Sequence, residues 1–135
     1  MDIPLFCYGT LRSARVMKAV TGRVYTGTKA TLNHYAVFRV RGTAYPGILA
    51  EEGASVEGTL YRGITEDVIQ LLDQFEGPQY HRKILKISPD KRQEIDAYVY
   101  CIRDNCARIR SRDRWDFSRF LKDEIDLFLK DLSSG

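Results

Sequence analysis

Ile3-Pro4-Leu5-Phe6-Cys7-Tyr8 is an apolar, aromatic run that stops at Gly9, the pattern of a short buried strand entering a turn. Beyond the turn, Arg12 to Val20 is rich in helix formers and carries Val16, Met17 and Val20 at helical spacing, with Gly22 as the stop. From Arg23 to Leu49 apolar and polar residues alternate, which predicts two strands joined near Leu32-Asn33-His34. Tyr45-Pro46-Gly47-Ile48 then predicts a bend or bulge in place of a regular central strand, because Pro removes a ladder donor and Gly permits positive φ. Val56 to Tyr61 resumes the period-two alternation of a core strand.

Thr65 stands where a helix N-cap belongs, Glu66 and Asp67 suit the positive helix end, and Val68, Ile69, Leu71, Leu72 and Phe75 form one apolar stripe. Gly77-Pro78 ends that helix. Tyr80 to Ile87 and Ile95 to Ile102 read as a hairpin around Ser88-Pro89-Asp90-Lys91. Asn105 to Asp113 is polar and Arg-rich, as in an exposed loop. After Trp115, one helical face carries Phe117, Phe120, Leu121, Ile125, Phe128, Leu129 and Leu132, and should pack across the sheet. Strands outnumber helices and no repeat is present, so the expected class is α+β on a mixed or closed sheet.

At 135 residues and 44% hydrophobic, the chain should form one domain, 1–135, around one core. No run reaches the roughly 18 apolar residues of a membrane helix and the N-terminus lacks a secretory pattern, so a cytoplasmic protein without membrane contact is expected. A net charge of +3 singles out no partner. Cys7, Cys101 and Cys106 fit neither a disulfide framework nor a zinc site and read as free, mostly buried thiols. His34 and His81 lack companion ligands, so no metal site is expected. Nucleophile-elbow, P-loop and dinucleotide motifs are absent from the sequence.

Candidate chemistry gathers in three places. In Tyr8-Gly9-Thr10-Leu11, a glycine between strand and helix start can turn backbone amides outward as an anion site, although ordinary tight turns share the pattern. Glu76 lies at the carbonyl end of its helix, where the partial negative charge and partial burial beside Phe75 and Tyr80 would raise its pKa toward a useful proton acceptor; otherwise it is a solvated surface acid. Tyr80 and Arg82 alternate along a strand and so share a face, which could equally be an amphipathic strand edge. The spatial expectation is that Glu76 and the Gly9 turn face one another across a common cavity.

Together, Phe6-Cys7-Tyr8-Gly9-Thr10-Leu11-Arg12-Ser13, Tyr45-Pro46-Gly47-Ile48, Val56-Glu57-Gly58-Thr59-Leu60-Tyr61 and Leu72-Asp73-Gln74-Phe75-Glu76-Gly77-Pro78-Gln79-Tyr80-His81-Arg82 resemble the gamma-glutamylcyclotransferase-like family. The order and spacing are similar too, especially to the branch named for plant avirulence-induced proteins, and the likeness runs from Ile3 to about Leu132. The resemblance implies a small closed or nearly closed mixed β-barrel with flanking helices. It also implies a reaction in which a γ-glutamyl amide cyclises to 5-oxoproline and releases its amine, without a cofactor. On that analogy Tyr8, Gly9, Thr10, Leu11, Arg12 and Ser13 grip the γ-glutamyl group, Glu76 is the acid–base residue, and Tyr80 lies by the pocket. The partner is then a small-molecule γ-glutamyl substrate, its departing amine selected by Arg39, Arg41 or the 103–114 segment.

Two other classes compete: a binding module on the same barrel that has lost turnover, and a nucleic-acid face. The second would use Arg103, Arg108, Arg110, Arg112, Arg114 and Arg119 with Tyr100 and Trp115, but Asp104, Asp113 and Asp116 dilute its charge and favour a solvated loop, so no nucleic-acid partner is expected.

Overall fold

The computed structural model describes residues 3–39, 46–90, 93–103 and 115–134. In chain order these form β1 (Leu5–Cys7), a 3₁₀ turn (Thr10–Arg12), α1 (Ala14–Thr21), β2 (Gly27–Arg39), β3 (Pro46–Tyr61), α2 (Glu66–Glu76), β4 (Tyr80–Asp90) and β5 (Gln93–Ile102). A C-terminal helix follows, running from α3 (Phe117–Arg119) through a π-helical stretch (Phe120–Glu124) into α4 (Ile125–Ser134). The strands close into a barrel in the order β1-β3-β2-β4-β5. β1 and β5 are parallel and the other neighbours antiparallel, so the barrel is mixed, as expected.

Strand alternation sorts the side chains into two layers. Phe6, Leu32, Ile48, Val56, Leu60, Ile87 and Val99 fill the barrel, and each buried side chain of this size contributes about 1.5–3 kcal/mol. Leu5, Cys7, Tyr61 and Tyr100 point outward and meet Val16, Met17, Leu72, Phe120 and Phe128 of the helices. Gly58 lies where β1 crosses β3: a Cβ there would come within 2.5 Å of the Cys7 carbonyl oxygen.

β2–β3 and β4–β5 are long ladders, whereas β1 meets β5 at Leu5↔Tyr98 and β2 meets β4 at Thr31↔Ser88. The barrel thus has two thin seams. Pro4 adds to the first through its carbonyl, which accepts the Tyr98 amide at 2.8 Å.

Several expectations are corrected. Arg23 to Leu49 does not hold two strands joined at Leu32-Asn33-His34. β2 runs straight through, and His34 (φ 67) absorbs a bulge at which Asn33 pairs with Ser55 and Tyr35 with Ala50. Pro46-Gly47-Ile48 is not a bend but the start of β3, where proline's missing donor costs least, and Val56–Tyr61 is the same strand further on. Tyr45 lies outside the described residues. Ser88, Pro89 and Asp90 belong to β4, past a register shift after Ile87. Thr65 holds the N-cap position, yet its hydroxyl bonds the Asp67 carboxylate and no backbone amide. Leu71 and Leu121 leave their stripes and are 44% and 42% exposed. For Leu121 the reason is the π stretch: the Ile125 amide reaches back five residues to the Phe120 carbonyl, which turns Leu121 outward. Cys7 and Cys101 are free and buried; Cys106 lies outside the described residues.

Candidate active site

The apolar run of β1 buries both faces of the strand and delivers Tyr8 and Gly9 to the end of the barrel. There the chain tightens into the 3₁₀ turn, closed by the Arg12 amide on the Gly9 carbonyl (3.0 Å) and the Ser13 amide on the Thr10 carbonyl (3.1 Å). The amides at the head of such a turn have no acceptor within it. Gly9 is required by contact: a Cβ there would collide with the Pro46 ring. The Tyr61 hydroxyl donates to the Leu11 carbonyl at 2.8 Å and pins the turn from below.

α2 brings Glu76 to the same place. Its stripe of Val68, Ile69 and Leu72 seats the helix on the barrel, and Phe75 packs edge-on against Phe128 with ring centroids 6.2 Å apart. The Gly77 amide caps the helix on the Asp73 carbonyl at 3.1 Å, and its φ of 84° turns the chain back into β4. The Tyr80 hydroxyl then donates to the Pro46 carbonyl at 2.6 Å.

Between turn and helix end lies a cavity of about 240 Å³, lined by Phe6 through Leu11, Pro46, Phe75, Glu76, Pro78, Gln79, Tyr80 and Tyr100. Its size suits one amino-acid-sized group. It opens where β1 diverges from β5, and Tyr8 spans the gap by donating its hydroxyl to the Tyr100 carbonyl at 2.5 Å.

Desolvation in this cavity, with the Asp73 charge one helical turn back adding to it, pushes the Glu76 carboxyl up to about 8. The direction matches the sequence expectation, but burial is the main cause instead of the helix end. Burial pushes the Asp73 carboxyl up, yet hydrogen bonds from Arg82 and Tyr100 outweigh it and hold the acid below its ordinary value. Arg82 grips Asp73 bidentately at 3.0 and 3.2 Å and stacks on the Tyr98 ring at 4.3 Å, while the Tyr100 hydroxyl donates to Asp73 at 2.6 Å. Two acids three residues apart thus have opposite protonation tendencies. Burial also drives the Cys7 thiol and the Tyr8 phenol well up, with nearby Glu76 contributing, so both stay neutral.

Of the residues singled out in the sequence, Tyr8, Gly9, Thr10, Leu11, Glu76 and Tyr80 line one cavity. Arg12 and Ser13 do not. The 3₁₀ turn carries Arg12 away to stack on Phe117 at 4.3 Å, and the Ser13 hydroxyl caps α1 by accepting the Val16 amide. Sequence reasoning alone gives Asp73 and Tyr100 no role in the site. The Asp73–Glu76 spacing puts both acids on one helix face, but the pairing of Arg82 with Tyr100 across β4 and β5 needs the strand register. Tyr100 and Trp115 are buried, so they offer no stacking surface to bases. Arg39 pairs with Glu124 at 3.6 Å. Arg41, Asp104, Arg108, Arg110, Arg112, Asp113 and Arg114 lie outside the described residues. Among the described residues no three His, Cys, Asp or Glu side chains gather as a metal ion requires, and no helix is long and apolar enough to cross a membrane.

The closed mixed barrel thus brings the Gly9 turn and Glu76 to one cavity. Residues 5–117 match the family described as gamma-glutamyl cyclotransferase, AIG2-like, and the chain belongs to that family. It is 29% identical to AIG2-like protein C of Arabidopsis thaliana over 128 residues, covering 93% of this chain and 73% of that protein. The solution structure of another Arabidopsis thaliana protein superposes with a TM-score of 0.72 at 24% identity, covering 96% of this chain and 87% of that one. A solved gamma-glutamyl cyclotransferase shares the fold with a TM-score of 0.68 at 13% identity, covering 98% and 87% of the two chains.

Proposed function

We propose that this protein cyclises a γ-glutamyl amide to 5-oxoproline and releases the amine, with Glu76 as proton acceptor and donor and Tyr8 to Leu11 as the substrate loop. The observation that carries the reading is that Glu76 and the Tyr8–Leu11 turn line one cavity of about 240 Å³, where burial pushes the Glu76 carboxyl up to about 8. The substrate's α-amine is a cation near neutral pH, and a carboxyl pushed up to about 8 accepts its proton at far less cost than an ordinary carboxylate would, which helps to populate the neutral amine needed for attack.

The amine nitrogen bonds to the γ-carbonyl carbon, the carbon–nitrogen bond to the departing amine breaks, and the proton taken up by Glu76 passes to that amine. No water, oxidant or nucleophilic side chain is consumed. The turn amides meet either the α-carboxylate or the developing oxyanion. Because attacker and target share one molecule, holding the chain folded supplies much of the rate.

The test is to incubate the protein with γ-glutamyl dipeptides and γ-glutamylamines and measure 5-oxoproline. Release by the wild type and loss in Glu76→Gln supports the reaction. Equal failure of both across a broad panel leaves a ligand-binding module as the better reading.

A further inference from the structure

A phenol beside an acceptor that carries no proton must donate to it. Tyr8 therefore gives its proton to the Tyr100 carbonyl and Tyr100 gives its own to Asp73. Both residues line the cavity, Glu76 is close enough to each phenol to act on it, and what their hydroxyl oxygens retain is acceptor capacity. The second bond depends on Asp73 staying an ionised acceptor, which the bidentate Arg82 ensures.

Resting on the γ-glutamyl reading, we propose that Asp73 is a positioning residue for the cyclisation: by accepting the Tyr100 hydroxyl proton it leaves that oxygen an acceptor, so that the Tyr8–Tyr100 wall receives the substrate's amine. The amine is thereby set next to Glu76, the group that must relieve it of a proton.

Among the described residues, the groups that act on or feel Glu76 are Cys7 and Tyr8 of β1, Tyr100 of β5 and Asp73 of its own helix, with Tyr80 of β4 lining the same cavity. The thiol and the phenols of Tyr8 and Tyr100 are held neutral by burial. Asp73 is the one charge in this set, so it acts on Glu76 as well as on Tyr100.

Methionine sulfone is a suitable probe, since it has the shape of a γ-glutamyl amide but no carbonyl to attack. Calorimetry with methionine sulfone and its des-amino and des-carboxy analogues should show Tyr100→Phe weakening methionine sulfone about tenfold, the effect of one hydrogen bond to a charged group. The des-amino analogue should bind the variant as it binds the wild type. Separately, a carbon-13 titration of the Glu76 carboxyl without ligand should give a lower midpoint in Asp73→Asn than in wild type, because a like charge has gone. Equal weakening of both probes by Tyr100→Phe overturns the amine's placement, and an unmoved Glu76 midpoint overturns the role of Asp73. Either result leaves the reaction standing if the wild type still forms 5-oxoproline; a wild type that binds no probe and forms none overturns both.

Discussion

The barrel's two thin seams make a natural comparison. The β1–β5 seam opens into an enclosed cavity crossed by the Tyr8 hydroxyl and roofed by the end of α2. The β2–β4 seam opens into a broader groove lined by Arg12, Lys29, Glu57 and Asp90. Both contain acids, but in the first the acid is buried, and that burial lifts the Glu76 carboxyl to about 8. Parting two strands makes room; a covering helix that expels water makes the room chemically active.

The largest way to break this contrast is Glu76→Gln, expected to lower kcat for 5-oxoproline formation by about 10²–10⁴-fold, whereas Glu57→Gln in the open groove should leave it unchanged. Steady-state kinetics on both variants checks this. The same acid has a stability signature. Its folded pKa of about 8 lies above the unfolded value of 4.5, so the native state holds a proton that the unfolded chain has lost. Wild-type stability should fall as pH rises from about 4.5 to about 8, by on the order of 4 kcal/mol, and then level off. Glu76→Gln should lack that fall, so denaturant titrations should find the two equal at pH 4 and the variant more stable at pH 9.

A smaller effect is expected from Gly9→Ala. The added methyl must displace Pro46 or the turn, costing about 1–3 kcal/mol in thermal melts and raising KM. Smaller still, Tyr8→Phe removes the bond that spans the enclosed seam, a loss of about 1 kcal/mol.

Much of this architecture was legible where local chemistry and burial agree. β1, its glycine turn and α1 are marked by the apolar run, Gly9 and the Val16-Met17-Val20 spacing, although α1 starts after a Ser13 cap and not at Arg12. α2 is marked by its stripe and Gly77, and the β4–β5 hairpin by two alternating runs. The long β2–β3 pair was hidden because Asn33-His34 and Pro46-Gly47 carry turn-like residues, while the ladder tolerates a bulge at the first and a strand start at the second. In the site, Glu76 and Gly9 were readable one by one. The Asp73–Tyr100–Arg82 cluster was not, because it depends on which residues of two strands lie opposite each other.

The π stretch at Phe120–Glu124 stores one spare residue in the C-terminal helix. Phe120 and Ile125 reach the core on either side of it, and the surplus is taken up by exposed Leu121. Excising Leu121 would leave those two residues four apart, the ordinary α spacing, with both still facing inward. The helix should therefore shorten without repacking, and a chain one residue shorter there should melt no lower than its parent.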